Sequence, residues 1–167
     1  MWLFILLISL TVALLDTTVA PSLSINGGII SFSTSVLLIF LIKKSLRNAS
    51  TLLIFSTIFL VIFSQVPVAY ILLPNFFLLV IVMFAINKRF IDRPSTILSV
   101  PIFIFAFLFF GLFKLLIMRE FSLVNLLLMS EGAVYSAFFT VILYFVSNKI
   151  NYLLNPQADR EHIKINI

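Results

Sequence analysis

Few side chains in this sequence can do chemistry, and those few are embedded in apolar runs. Asp16 follows Leu14-Leu15 near the end of the first run. Glu131 sits in Met129-Ser130-Glu131-Gly132, inside the last run. An unpaired carboxylate is costly to bury, and an ionisable group within a membrane segment is a candidate for function by default. Asp16 reads either as an interfacial carboxylate reaching water or as a contact for a partner or a polar cavity. Glu131 reads as an ion pair with Lys114 or Arg119, as part of an interfacial stretch from Phe121 to Ser130, or as a partner or ligand contact. Ser64, Gln65 and Asn75 flank Pro67 and Pro74. Hydroxyls and amides in such places satisfy backbone groups freed by proline, or they line a pocket at the outer mouth.

The usual catalytic constellations find no residues here. His162 is the only histidine and lies near the chain end, so no histidine metal cluster or triad is expected. Cysteine is absent, which excludes thiolate metal sites, disulfides and a cysteine nucleophile. No Gly-rich phosphate loop precedes a helix. There is no arginine ladder of the voltage-sensor kind and no carboxylate relay. Neither an enzyme nor a bound cofactor or metal is expected.

The elements that must position the candidates are membrane helices. The chain is 62% apolar and 10% charged, against about 25% charged in soluble domains, and its mean hydropathy is +1.24. The net charge of +5 does not point to nucleic acid, because the cations lie between apolar runs, as orientation signals do. Met1 to Ala20 lacks the positive leader of a signal peptide and reads as a retained first span. A second span runs to Ile42 and is short, beginning near Leu23 or starting as a broken helix. Thr51 to Ile86 would be about 54 Å long as one helix, against a hydrocarbon core of about 30 Å. Pro67 and Pro74 divide it into a hairpin, Thr51 to Val66 and Asn75 to Ile86, with a re-entrant segment as the competing reading. Ile97 to Ile117 and Leu123 to Ser147 complete six spans. Gly132, Ala133, Ser136 and Ala137 give the last of them a face of small residues, suited either to contact within the bundle or to an oligomer seam.

Six crossings place Lys43, Lys44, Arg47, Lys88, Arg89, Arg93, Lys149, Arg160 and Lys164 on one side. Only Lys114 and Arg119 fall on the other. The positive-inside rule makes the first side cytoplasmic. The expected fold is therefore all-α: a polytopic bundle of about six short transmembrane helices over residues 1–147, both termini cytoplasmic, with a cytoplasmic polar tail at 148–167.

Two stretches resemble the MreD family of small bacterial rod-shape-determining membrane proteins. Leu14-Leu15-Asp16-Thr17-Thr18-Val19-Ala20-Pro21, followed by Ser24-Ile25-Asn26-Gly27-Gly28, is similar to the family's exit from its first span. Glu131-Gly132-Ala133-Val134-Tyr135-Ser136-Ala137, leading to Ile142-Leu143-Tyr144-Phe145, is similar to its last span. The chain departs from the family at Ile30-Ser31, where a Pro-acidic pair is frequent, and at Ser56 to Gln65, which lacks the family's Gly-rich motif. The resemblance implies a non-enzymatic scaffold in the bacterial inner membrane. Its partners would be lipid, an MreC-type bitopic protein and the wall-elongation machinery, and self-association is compatible with it. Asp16, Gln65, Glu131 and Tyr135 are then the candidate partner or ligand contacts. The alternative is the substrate-binding membrane component of a small-solute, vitamin-type transporter.

Overall fold

The computed structural model describes residues 2–23, 30–43, 45–87, 96–119 and 121–154, with side chains left out at 85–87, 96–99 and 151–154. Within them the secondary structure is entirely helical. The helices are α1 (Trp2–Ser22), α2 (Phe32–Ile42), α3 (Leu46–Ser64), α4 (Val68–Asn87), α5 (Thr96–Met118) and α6 (Leu123–Leu154). Trp2–Ser22, Leu46–Ser64, Val100–Met118 and Leu123–Ile150 are long and apolar enough to cross a bilayer. Phe32–Ile42 and Val68–Phe84 are shorter apolar helices. Large side chains such as Phe4, Phe105 and Phe138 stand exposed on the outside of the bundle. A water-soluble monomer rarely leaves so much apolar surface uncovered, and a multi-pass membrane protein presents it to acyl chains.

The first helix is not regular. Leu15–Val19 forms a π turn within α1. Pro21 explains it: proline has no N–H, and its ring presses on the carbonyl four residues back, that of Thr17. A widened turn ahead of the proline relieves that clash. The Thr17 and Thr18 hydroxyls donate to the carbonyls of Ala13 and Leu14 at 3.0 and 2.6 Å, so the disturbed turn keeps its acceptors occupied. The turn also sets the direction in which Asp16 projects.

The hairpin differs from its expected form. Only Pro67 breaks the chain. Proline disfavours helical backbone at the residue before it, and α3 ends at Ser64. Gln65 takes the left-handed conformation (φ 56°), its N–H donating to the Val61 carbonyl at 3.1 Å. Helix α4 starts at once, at Val68, and Pro74 lies inside it. The residues between the prolines, expected to form the turn, are therefore mostly helical, and the two arms pack against each other. Helix α6 is also continuous through Gly132 and past Ser147 to Leu154. It is not divided into an interfacial stretch and a later span.

Helix α2 is the centre of the bundle. Nine of its eleven residues are buried, and it touches α1, α3, α4 and α6. Leu37, Leu38 and Leu41 meet Leu52 of α3, Leu78 of α4 and Phe103 of α5 in one core. Its C-terminal end is tied to α6 by the Lys43 ammonium, which donates to the Ser147 hydroxyl. At the same end, the Arg47 guanidinium lies 5.5 Å over the Trp2 ring.

The small-residue face of α6 is used inside the bundle. Ala133, Ser136 and Ala137 are only 4, 2 and 1% exposed, which removes them from any oligomer seam. Small side chains let helix backbones approach closely without help from a hydrophobic effect, which lipid does not supply. Opposite, Gly111 of α5 faces Met129 of α6 so closely that an added Cβ would lie 2.3 Å from the Met129 Cγ. Gly111→Val should therefore overpack this seam and cost about 1–3 kcal/mol, read as a lowered unfolding midpoint in detergent. Met129→Ala should recover part of that loss when combined with Gly111→Val. Additive effects of the two substitutions would show that the contact is not shared.

Candidate functional site

Helix α2 is too short to cross a bilayer by itself. Eleven residues at about 1.5 Å each give about 17 Å, little more than half of a hydrocarbon core of about 30 Å. Its neighbour α3 has nineteen residues and runs on past it. A helix start leaves backbone N–H groups without intrahelical partners, and lipid offers them no acceptor. Ser31, at the cap position, makes no side-chain bond to the amides of its own helix.

The acceptor comes from another helix. Asp16, aimed by the π turn of α1, takes the Phe32 N–H on Oδ1 at 2.6 Å and the Ser33 N–H on Oδ2 at 3.0 Å. Burial works against the charged carboxylate, and the Ser33 hydroxyl, the two amides and, least of all, the charge of Lys114 on α5 work for it. Charge-assisted bonds of this kind are the stronger class, and a carboxylate suits the positive end of a helix dipole.

Further bonds spread from the same point. The Ser31 N–H donates to the Ser136 hydroxyl of α6 at 3.0 Å. The Ser31 hydroxyl donates to Thr34 Oγ1 at 2.8 Å, and Thr34 in turn donates to Asn75 Oδ1 of α4 at 3.1 Å. The Asn75 Nδ2 donates to the Ile71 carbonyl at 3.0 Å, one turn back and beside Pro74. One polar junction thus joins α1, α2, α4 and α6. Above it, a cavity of about 410 Å³ is bounded by all of the helices except α6, with Asp16, Thr34, Tyr70, Asn75 and Lys114 on its wall. A second, of about 300 Å³, lies between α5 and α6, and shares Ser31, Phe110, Lys114 and Met118 with the first. Both lie at the end of the bundle away from Lys43 and Arg47.

The four candidate contacts separate in the structure. Asp16 is in the junction and on the cavity wall. Gln65 is exposed at the hairpin tip and lines neither cavity. Glu131 and Tyr135 are half-buried on α6, and they too lie off the cavity walls. The Glu131 Oε2 is buried with no hydrogen-bond partner among the described residues. Near the prolines, Ser64 and Asn75 do serve backbone groups. Ser64 donates to the Leu60 carbonyl at 2.5 Å, and Asn75 bonds Ile71 as described.

The contributions of Ser31, Thr34, Ser136 and Lys114 escaped sequence reasoning. One signal pointed to α2: Ser31, Ser33, Thr34 and Ser35 put four hydroxyls in five positions of an otherwise apolar segment. Among the described residues, no cluster of His, Cys, Asp or Glu is arranged to hold a metal ion. Compared with protein-family models, curated proteins and solved structures, the chain finds no match.

Removing the carboxylate strands two amides and a hydroxyl at once. A buried unsatisfied group costs about 1–3 kcal/mol, so Asp16→Ala should lower stability by about 2–4 kcal/mol. Asp16→Asn keeps an acceptor oxygen and should cost about half as much. Thermal or denaturant unfolding in a mild detergent measures both. An Asp16→Ala midpoint equal to the wild-type value would show that the cap does not carry α2.

Proposed function

We propose that this protein is a non-enzymatic scaffold of the bacterial inner membrane, of the MreD kind, coupling cytoskeletal and wall-elongation proteins in the control of cell shape. The observation that carries the reading is how the polar groups are used. Asp16, Ser31, Thr34, Asn75 and Ser136 bond one another and the backbone across four helices. Groups spent in this way hold an arrangement of helices, which is what a docking platform requires. The resemblance of Leu14–Pro21 and of Glu131–Ala137 to MreD proteins supports the same reading.

In this proposal the chain crosses the bilayer six times and both ends face the cytoplasm, in line with the bias of its cations. The partner is a bitopic protein of the MreC type whose single membrane helix lies against the exposed apolar faces of the bundle. The basic inner loops face anionic lipid and an acidic partner surface.

The decisive experiment is co-purification of the solubilised, tagged protein with its MreC-type partner, together with clean depletion in a rod-shaped host. Association and rounding of the cells are expected. Rods of normal shape after depletion would remove the proposal. The topology has its own check. Reporter fusions at Lys44 and Arg89 should report the cytoplasm, and fusions at Pro67 and Arg119 the outside. Any other alternation would break the six-crossing arrangement.

A further inference from the structure

The larger cavity has a charge pattern that selects its occupant. Among the described residues its charged wall groups are Asp16 and Lys114, one of each sign. A carboxylate has about four acceptor positions. Among the described residues the Phe32 N–H, the Ser33 N–H and the Ser33 hydroxyl take three at Asp16, which leaves room for one further donor. Lys114 brings three N–H donors and lines both cavities. The Phe63 and Phe110 rings supply an apolar wall. Bringing a net charge into a space whose own two charges balance leaves an uncompensated ion, which is strongly unfavourable. A neutral molecule that carries both signs leaves none.

We propose that this cavity binds a zwitterion of primary-ammonium and oxyanion type, with the ammonium at Asp16 and the oxyanion at Lys114. Two sources share that chemistry: the headgroup of an aminophospholipid and a free zwitterionic solute. The site goes beyond the scaffold reading and does not depend on it. The cavity lies at the end of the bundle away from Lys43 and Arg47, and a partner helix on the outer faces would leave it in place.

The test measures thermal unfolding of the detergent-solubilised protein with added dioleoyl lipids. Phosphatidylethanolamine should raise the midpoint by several degrees. Phosphatidylcholine, whose ammonium has no N–H, and phosphatidylglycerol, a net anion, should raise it far less. Free glycerophosphoethanolamine separates the sources: a matching shift identifies a solute site, and a shift with the lipid alone identifies a headgroup site. Lys114→Met should abolish the shift and Lys114→Arg should retain it. Met118→Trp, which fills the space shared by the two cavities, should abolish it without altering either charge, and it decides the matter if Lys114→Met does not fold. Equal shifts from all three lipids, no shift from lipid or solute, or a phosphatidylethanolamine shift that survives Met118→Trp would each overturn the proposal. Failure here leaves the partner co-purification unaffected, and failure there leaves this shift unaffected.

Discussion

The surroundings of this protein cannot hydrogen-bond, and the architecture follows from how it meets that condition. A helix that spans the bilayer leaves its unsatisfied ends at the headgroups, where water and lipid phosphates serve them. Helix α2 is too short for that. Its first amides open inside the bundle, and the Asp16 carboxylate of α1 answers them. Burying a carboxylate is itself costly. Here the anion and the helix end each offset part of the other's penalty, because the amides and the helix dipole stabilise the charge. Lys114 adds to that stabilisation from α5.

This reciprocal arrangement explains why the first helix carries a π turn. A regular α-helix would aim residue 16 elsewhere, since a π turn shifts the register of everything before it relative to everything after it. Pro21, with Thr17 and Thr18, produces the irregularity locally, and α2 makes use of it sixteen residues later in the chain. Local strain and long-range capping thus have one origin. At the other end of the bundle the means differ. The ends of α2 and α3 are fastened through Lys43 with Ser147 and Arg47 with Trp2. There cations sit at a helix C-terminus and over an aromatic face, which are favourable places for them.

Composition and run length were sufficient to place the helices. The apolar runs correspond to the six helices, and the short second run becomes the short α2. The hairpin could be located but not its turn, because proline has two outcomes in a helix. Pro67 lies two residues after Gln65, whose left-handed conformation closes α3, whereas Pro74 is absorbed within α4. What separates them is the surroundings. Pro74 is buried against the bundle and has Asn75 next to it to bond the neighbouring carbonyl and Thr34, while Pro67 is exposed. The site was legible only in part for a related reason. Asp16 stood out as a charge. Its hydroxyl and amide partners did not, because a serine or threonine in a membrane helix most often bonds its own backbone one turn back. Ser9 and Thr140 do that here, with the carbonyls of Ile5 and Ser136. Only the three-dimensional convergence of four helices distinguishes Ser31 and Thr34 from them.

The two carboxylates show what that convergence accomplishes. In sequence Asp16 and Glu131 are both single carboxylates set in apolar runs, Asp16 near the end of its run and Glu131 well inside its own. Asp16 lies where a helix begins and is surrounded by donors. Glu131 lies in the unbroken middle of α6, where the backbone amides are already bonded within the helix, and its Oε2 is left without a partner among the described residues. A carboxylate in a membrane bundle is therefore stabilised by interrupted helices more than by proximity to polar sequence. The interruption has a second effect. The wall of the larger cavity is drawn from five helices and includes the capping carboxylate itself. Any occupant touches the groups that fix α2 in place, and binding energy realised there favours the one packing in which those groups are aligned.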